Sequence, residues 1–217
     1  MTAPAGSPLR RVLRSGQRMR ILDALRLRSP LTLPELAGQV GLPPNTARDH
    51  LAALIRAGWV TARNESRAVR GRPRKLYAMA QGLQEGTAET RERTRRATAI
   101  GRIARSTAVF PPTREGLPVA AGQQLDVLED HLERAGFRPE AHEAALTIGL
   151  CCPLTDVRDA LPETVCAVDL CLIQSVLARV DGPLRATGIT PIDPGSTCRV
   201  DLVLAHDGRG DDAAAAR

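Results

Sequence analysis

Several kinds of chemistry are missing from this sequence, and each absence narrows what it can do. Nowhere do about 18 apolar residues run together, the length a helix needs to cross a bilayer. The opening stretch MTAPAGSPLRRVLRSGQRMRIL carries early charge but no uninterrupted apolar segment, so neither a membrane span nor a secretory leader is expected and the chain is placed in the cytoplasm. Lysine is almost absent, since 29 of the 30 basic residues are arginine. Together with the richness in alanine this points to coding bias, and arginine in place of lysine is not read as selection at each site. The HExxH, GxSxG, P-loop and Rossmann patterns are all lacking, which argues for a protein that is not an enzyme. The cysteine count is 5, an odd number, and in a reducing compartment that is a poor disulfide framework. Metal binding, thiol redox sensing and plain burial remain open for them.

What is present divides in two. With 217 residues, 43% of them hydrophobic, the chain can build two compact domains or one large one. Residues 1–110 hold 21 Arg and Lys against 7 Asp and Glu, a net charge of +14, whereas residues 111–217 hold 9 against 17, a net −8. A basic half joined to an acidic half suggests a polyanion-binding module attached to one that must not bind polyanions.

In the basic half, three short apolar stripes at helical spacing follow one another: Ile21, Leu22 and Leu25; Leu36, Ala37 and Val40; Ala47, Leu51, Leu54 and Ile55. The second opens at TLPE, where Thr32 and Glu35 have capping-box spacing, and ends at Gly41. The third opens at Pro43 and Pro44 and closes at Gly58. Two short helices about a turn at Gly41 read as helix-turn-helix. Two extended runs then flank an Arg-rich loop containing Gly71 and Pro73. This pattern, with TARDHLAALIRAGWV followed by RGRPRKLY, resembles the winged helix-turn-helix domain of ArsR and MarR-like bacterial regulators across residues 15–80.

The resemblance implies double-stranded DNA as partner. It places Asn45, Thr46, Arg48, Asp49 and His50 at the start of a recognition helix, facing base edges or phosphates. Arg67, Arg70, Arg72, Arg74 and Lys75 would lie on the wing, against phosphates or the adjacent minor groove. Residues 1–14 are a basic N-terminal arm, and residues 81–118 a helical linker with Glu89/Arg93 and Glu92/Arg96 pairs and a Pro-rich break. Such regulators read paired half-sites as homodimers; no clean heptad in this chain adds to that.

The acidic half reads as a small α+β domain over residues 119–206, followed by a flexible tail at 207–217. It offers a helix with Leu125, Leu128 and Leu132, a strand ending at AALTIGLCC, the helix PETVCAVDLCLIQSVLARV, and two extended runs joined by DPGS. Cys151 and Cys152 are consecutive at a strand end, so their side chains point to opposite faces. Cys166 and Cys171, five apart on a helix, diverge by about 140°. One thiol from each pair together with Cys198 therefore makes a natural set of three. Cys166 falls near a helix start, where the dipole favours the thiolate.

The order Cys152-Pro153, then PETVC at Cys166, an amphipathic helix, and Cys198 on a last strand behind a winged helix resembles the SufR-type iron-sulfur regulators over most of the chain. That resemblance implies an iron-sulfur cluster, 4Fe-4S or 2Fe-2S, on Cys152, Cys166 and Cys198, and repression of cluster-assembly or redox and iron-related genes, with tight DNA binding in the loaded form. It also leaves Cys151 and Cys171 as small buried hydrophobes. The chain departs from the family's pattern at Cys151, where relatives carry Asn, and at Leu154, where they carry an aromatic, so Cys151 is a rival for Cys152. A fourth ligand is open among His131, His142, Asp169 and His206. Zinc on the same thiols, direct thiol oxidation, and inert cysteines with an unknown effector are the alternatives.

Overall fold

The stop and start signals of the basic half become helix ends in the computed structural model, which describes residues 8–65, 74–82, 86–107, 117–192 and 197–205. Helices α1 (Pro8–Leu13) and α2 (Gly16–Leu27) precede strand β1 (Leu31–Thr32), helices α3 (Leu33–Val40) and α4 (Pro44–Arg56), and strands β2 (Val60–Asn64) and β3 (Lys75–Met79). The capping box forms as its spacing predicts. Thr32 Oγ1 accepts from Glu35 N–H at 3.5 Å, and Thr32 N–H donates to Glu35 Oε2 at 2.8 Å, so two helix-end donors are satisfied at once. Gly41 at φ 66° ends α3 and Gly58 at φ 78° follows α4, a left-handed backbone that glycine adopts without a Cβ clash.

The three apolar stripes meet, with Leu22, Leu25, Leu36, Leu51 and Leu54 buried in one cluster. Strands β2 and β3 pair antiparallel as the wing hairpin, and the two-residue β1 adds to β3, giving a sheet in the order β1-β3-β2. The wing tip, with Arg67, Arg70 and Arg72, lies outside the described residues. At the N-terminus the expected basic arm is helical from Pro8, and its Leu13 is buried.

Helix α5 (Ala88–Thr107) follows and packs on α6 (Val119–Ala135). Glu89 pairs with Arg93 as expected, whereas Glu92 reaches Arg95 at 3.7 Å rather than Arg96; positions three and four apart share one side of a helix, so either partner is in range. The two helices approach closely at Gly101, where a Cβ would collide with the Asp126 carboxylate.

The remaining elements are β4 (Arg138–His142), a 3-10 turn at Glu143–Ala145, β5 (Thr147–Cys151), the short helix α7 (Thr155–Ala160), α8 (Pro162–Leu177), β6 (Leu184–Pro191) and β7 (Thr197–Leu204). The four strands form an antiparallel sheet in the order β4-β5-β7-β6, with α8 packed against β6. The fold is thus α+β, helices with antiparallel sheets. Strand β4 was not expected from its sequence RPEAH, which lacks apolar alternation; it occupies the sheet edge, where a proline is tolerated.

The helix-turn-helix elements and the second sheet share one core. Helix α2 packs on α8 and α1 on α6. Arg14 pairs with Asp156 at 2.8 Å, and Ser175 Oγ donates to the Ala80 carbonyl at 2.7 Å from within the buried zone. Trp59, just after α4, stands edge-on to His131 of α6, with ring centroids 4.8 Å apart at 89°, and the Arg179 guanidinium lies 5.6 Å from the indole centroid.

Candidate functional site

The first candidate surface is the start of α4. Pro44 sets the first helical turn, and Ala47, Leu51 and Leu54 bury the opposite side of the helix. That leaves Asn45, Thr46, Arg48 and Asp49 exposed, with His50 half-buried. Arg48 Nη1 donates to Asn45 Oδ1 at 2.6 Å, so the two polar groups best suited to bidentate base contacts are held side by side. Burial, then the nearby Arg18, lowers the His50 pKa, against the opposing pull of Asp49. His50 therefore sits in the helix as a neutral, partly packed imidazole. Arg74 and Lys75 are exposed where β3 begins, and Arg74 is tied to β2 through its carbonyl, which accepts from Glu65 N–H at 2.7 Å.

The second candidate is built around the thiols. In the β5–β7 register Leu150 faces Cys198 and Cys151 faces Thr197. Facing residues share a sheet face, and a step of two along a strand returns to the same face. Cys152, two beyond Leu150, therefore falls on the side of Cys198, and Cys151 on the other. Exposure agrees, since Cys152 and Cys198 are 5% and 4% exposed while Cys151 is open to solvent. Cys166 and Asp169 stand three apart on α8, on one flank of the helix.

Electrostatics show which charged and thiol groups influence one another. Burial pushes the Cys152 thiol up to about 11, with Asp169 and Cys198 adding to the rise and a backbone hydrogen bond at Leu154 and Arg158 opposing it. Cys166 is raised by burial first, then by Cys198 and Asp169. Cys198 is raised by burial, against the charge of Arg158 and a hydrogen bond from its guanidinium, with Asp169 adding a further push. Cys152, Cys166 and Cys198 are thus each influenced by Asp169 and Arg158. Cys171 is not: burial raises that thiol and its one charged neighbour is Arg26 on α2.

Two expectations change here. The helix dipole does not make Cys166 a ready thiolate, because desolvation outweighs it and the pKa rises. Any metal held by these thiols would have to displace protons from all three. Sequence reasoning also missed Arg158 of α7, which is 6% exposed; an arginine in TDVRDAL carries no mark of burial. Among the described residues no group of three or more His, Cys, Asp or Glu side chains stands at metal-holding separations.

The histidines offered as fourth ligands lie elsewhere. His131 packs against Trp59, and its charged neighbours are Arg179, Arg134 and Arg93, which with burial hold its pKa well below the usual value. Arg179 follows α8 while Cys166 is near its start, an axial separation of about 20 Å. His142 is exposed at the end of edge strand β4, and His206 is outside the described residues.

Residues 15–61 match a protein family described as a helix-turn-helix domain. No curated protein matches the chain. Among solved structures, the crystal structure of RV1404 from Mycobacterium tuberculosis is similar at 24% identity over 58% of this chain and 76% of that one, with a TM-score of 0.26. No helix among the described residues is long and apolar enough to cross a membrane. With the family match lying on the exposed start of α4 and the buried stripes beneath it, the N-terminal part of the chain is the helix-turn-helix domain of a DNA-binding transcriptional regulator.

Proposed function

We propose that this protein is a cytoplasmic, homodimeric transcriptional repressor whose affinity for a double-stranded operator is set by an iron-sulfur cluster on Cys152, Cys166 and Cys198, and that it controls genes of cluster assembly or of redox and iron handling. The observation that carries this reading is a shared side of the sheet: Cys152 and Cys198 are both buried on one face and Cys198 acts on Cys152 and on Cys166 of α8, while Cys151 is exposed and Cys171 has Arg26 as its charged neighbour. The donor types suit the group, because thiolates are the protein ligands of iron-sulfur centres and the buried Arg158 acts on all three thiols, but the side chains do not stand at metal-holding separations here, so loading requires them to close on the group. When bound, the cluster supplies redox chemistry and sensitivity to oxidants.

The chain's own part is mechanical. Cys152, Cys166 and Cys198 join the end of β5, the first turns of α8 and strand β7, so ligation by all three fixes α8 on the sheet. Helix α8 also packs on α2 of the helix-turn-helix domain. Release of the thiols lets α8 shift, and α2 with it, which changes how two recognition helices in a dimer are spaced on DNA.

The test is anaerobic purification or reconstitution of the full chain, with iron, sulfide and zinc content, the visible spectrum, and operator affinity measured on loaded and metal-free protein. A brown chromophore and tighter operator binding in the loaded form are expected. Single Ser substitutions at Cys152, Cys166 or Cys198 should remove the chromophore, whereas Cys171→Ser and Cys151→Ser keep it. Colourless protein with stoichiometric zinc would transfer the site to that metal, and equal affinity of loaded and metal-free forms would refute control by the cluster.

A further inference from the structure

Beyond the end of α8 that lies away from Cys166, an open cleft forms where four parts of the chain meet: Ala57 after α4, Arg93 on α5, Asp130, His131 and Arg134 on α6, and Arg179 after α8. Three guanidiniums share it with a single carboxylate among its lining residues. Arg93 pairs with Glu89, and Arg134 with Asp130 at 3.2 Å. Arg179 makes no ion pair among the described residues; its guanidinium lies 5.6 Å from the Trp59 indole centroid and its Nε is buried without a hydrogen bond. His131 lines the same cleft and is only 9% exposed, yet its ring meets Trp59 edge-on and has no hydrogen-bond partner among the described residues. A partly buried cation wants counter-charge and a buried polar ring wants a partner, and the described residues supply neither. Burial, then the charge of Arg134, brings the Arg179 guanidinium down to about 10. Burial, then Arg179, Arg134 and Arg93, keeps His131 neutral.

We propose that this cleft binds a small tetrahedral oxyanion, inorganic phosphate or the phosphate group of a metabolite, through Arg179 and His131 with Arg93 and Arg134 at its rim, and that its occupancy acts on operator binding. A planar carboxylate matches one guanidinium fork, as Asp130 does on Arg134; a tetrahedral anion turns oxygens in several directions and can accept from guanidiniums that arrive from three elements. The cleft is small and open to solvent, so the phosphate enters while any carbon skeleton attached to it stays outside. Ala57 and Trp59 flank the glycine that follows the recognition helix α4. An anion drawn in here therefore pulls on the end of that helix together with α5, α6 and the segment after α8. The thiols take no part, so the inference stands or falls apart from the cluster.

Trp59 is the single tryptophan of the chain, and its fluorescence reports on the cleft directly. The full chain is titrated with phosphate, with glycerol phosphate as a simple monoester, and with acetate, each against chloride at matched ionic strength. Phosphate should change the Trp59 emission saturably, and chloride should not. Arg179→Gln should weaken phosphate binding by roughly tenfold or more, the loss expected of a charge-assisted hydrogen bond, and Arg93→Gln by less. Arg102→Gln, an equal loss of charge at an exposed position of α5 outside the cleft, should stay within about twofold of wild type. Calorimetry gives the same affinities without relying on the indole, and Arg93→Gln, a change at an exposed side chain, keeps the comparison if Arg179→Gln folds poorly. Operator affinity of wild type should change when phosphate replaces chloride at fixed ionic strength, and that of Arg179→Gln should not. Tighter binding of the monoester would assign the site to a metabolite, and equal binding to the free ion. No saturable response to either phosphate, acetate bound as tightly as phosphate, or the same affinity in wild type and both cleft variants would overturn the site. Saturable binding that leaves operator affinity unchanged would overturn its role in regulation.

Discussion

Replacing Gln124 by leucine tests whether the C-terminal half is held as tightly at the far end of α8 as the proposed coupling needs. Gln124 sits on α6 with no exposed surface. Its Nε2 donates to the Leu177 carbonyl at 3.0 Å and the Leu184 carbonyl at 3.2 Å, and its Oε1 accepts from Leu184 N–H at 2.7 Å. Leu177 is the last residue of α8 and Leu184 the first of β6, so one amide pins the turn between them. The losses in Gln124→Leu are unequal. The Leu184 carbonyl keeps a bond from Arg185 Nη1 at 2.9 Å, and the Leu177 carbonyl keeps a long one from Val180 N–H at 3.4 Å. Leu184 N–H loses its acceptor inside the core, at roughly 1–3 kcal/mol, and the other two bonds count for about 0.5–1.5 kcal/mol each. Leucine is close in volume, so no cavity is added. A total near 3 kcal/mol corresponds to a fall in Tm of roughly 6–12 °C for a chain of this size. Urea unfolding of the metal-free protein, with linear extrapolation, measures it. A loss below about 1 kcal/mol at unchanged m-value would refute the reasoning and mean that water or a rearranged turn replaces the amide.

Operator binding should weaken with salt at a log-log slope of about −0.9 for each phosphate neutralised; Arg74→Ala should lower affinity for all duplexes alike, while Arg48→Ala should narrow the gap between operator and random DNA by about 1–3 kcal/mol, read by competition anisotropy. His131 faces Trp59, Arg93 from α5, Arg134 and Asp130 from α6, and Arg179 beyond α8. Burial first and the arginines next depress its folded pKa from 6.5, so its contribution to stability is complete above that value and is lost as pH falls below it, while the unfolded chain takes up the proton first. Urea midpoints should reveal a loss of about 1 kcal/mol one pH unit below 6.5 that His131→Gln lacks; identical pH profiles in the two proteins would refute it.

How much of this was legible in the sequence depends on the range of the forces involved. The capping box at Thr32 and Glu35 and the glycine stops at Gly41 and Gly58 are decided within a few residues, and the structure contains them as the spacing predicts. Strand β4 was not legible, because RPEAH becomes a strand only by pairing with β5. The separation of Cys151 from Cys152, and of Cys166 from Cys171, follows from strand alternation and helix rotation, both local rules. The protonation of Cys166 does not: its helix position argues for a low pKa, and tertiary burial reverses the sign. Arg158, Asp169 and the packing of His131 on Trp59 depend on which distant elements cover them, and no local pattern marks an arginine or aspartate as buried.

The same long-range packing makes α8 the element that touches both halves, and on the proposed function the one that couples them. Its first turns carry Cys166 and Asp169; its middle lies on α2, where Cys171 feels the charge of Arg26; towards its end Ser175 bonds the Ala80 carbonyl at the base of the wing. A helix with apolar residues buried at Val165, Val168, Leu172, Ile173 and Val176 cannot bend to absorb a displacement at one end, because close-packed side chains resist partial shifts. On the proposed function, a change in ligation at the thiols would therefore arrive at α2 and at the wing base as a movement of the whole rod. Linkage requires the reverse as well: whatever factor loading changes in operator affinity, operator binding must change in the affinity of the thiols for their metal centre. DNA-bound protein on the proposed function holds its cluster more firmly than free protein, and the population that loses it first is the one already off the operator.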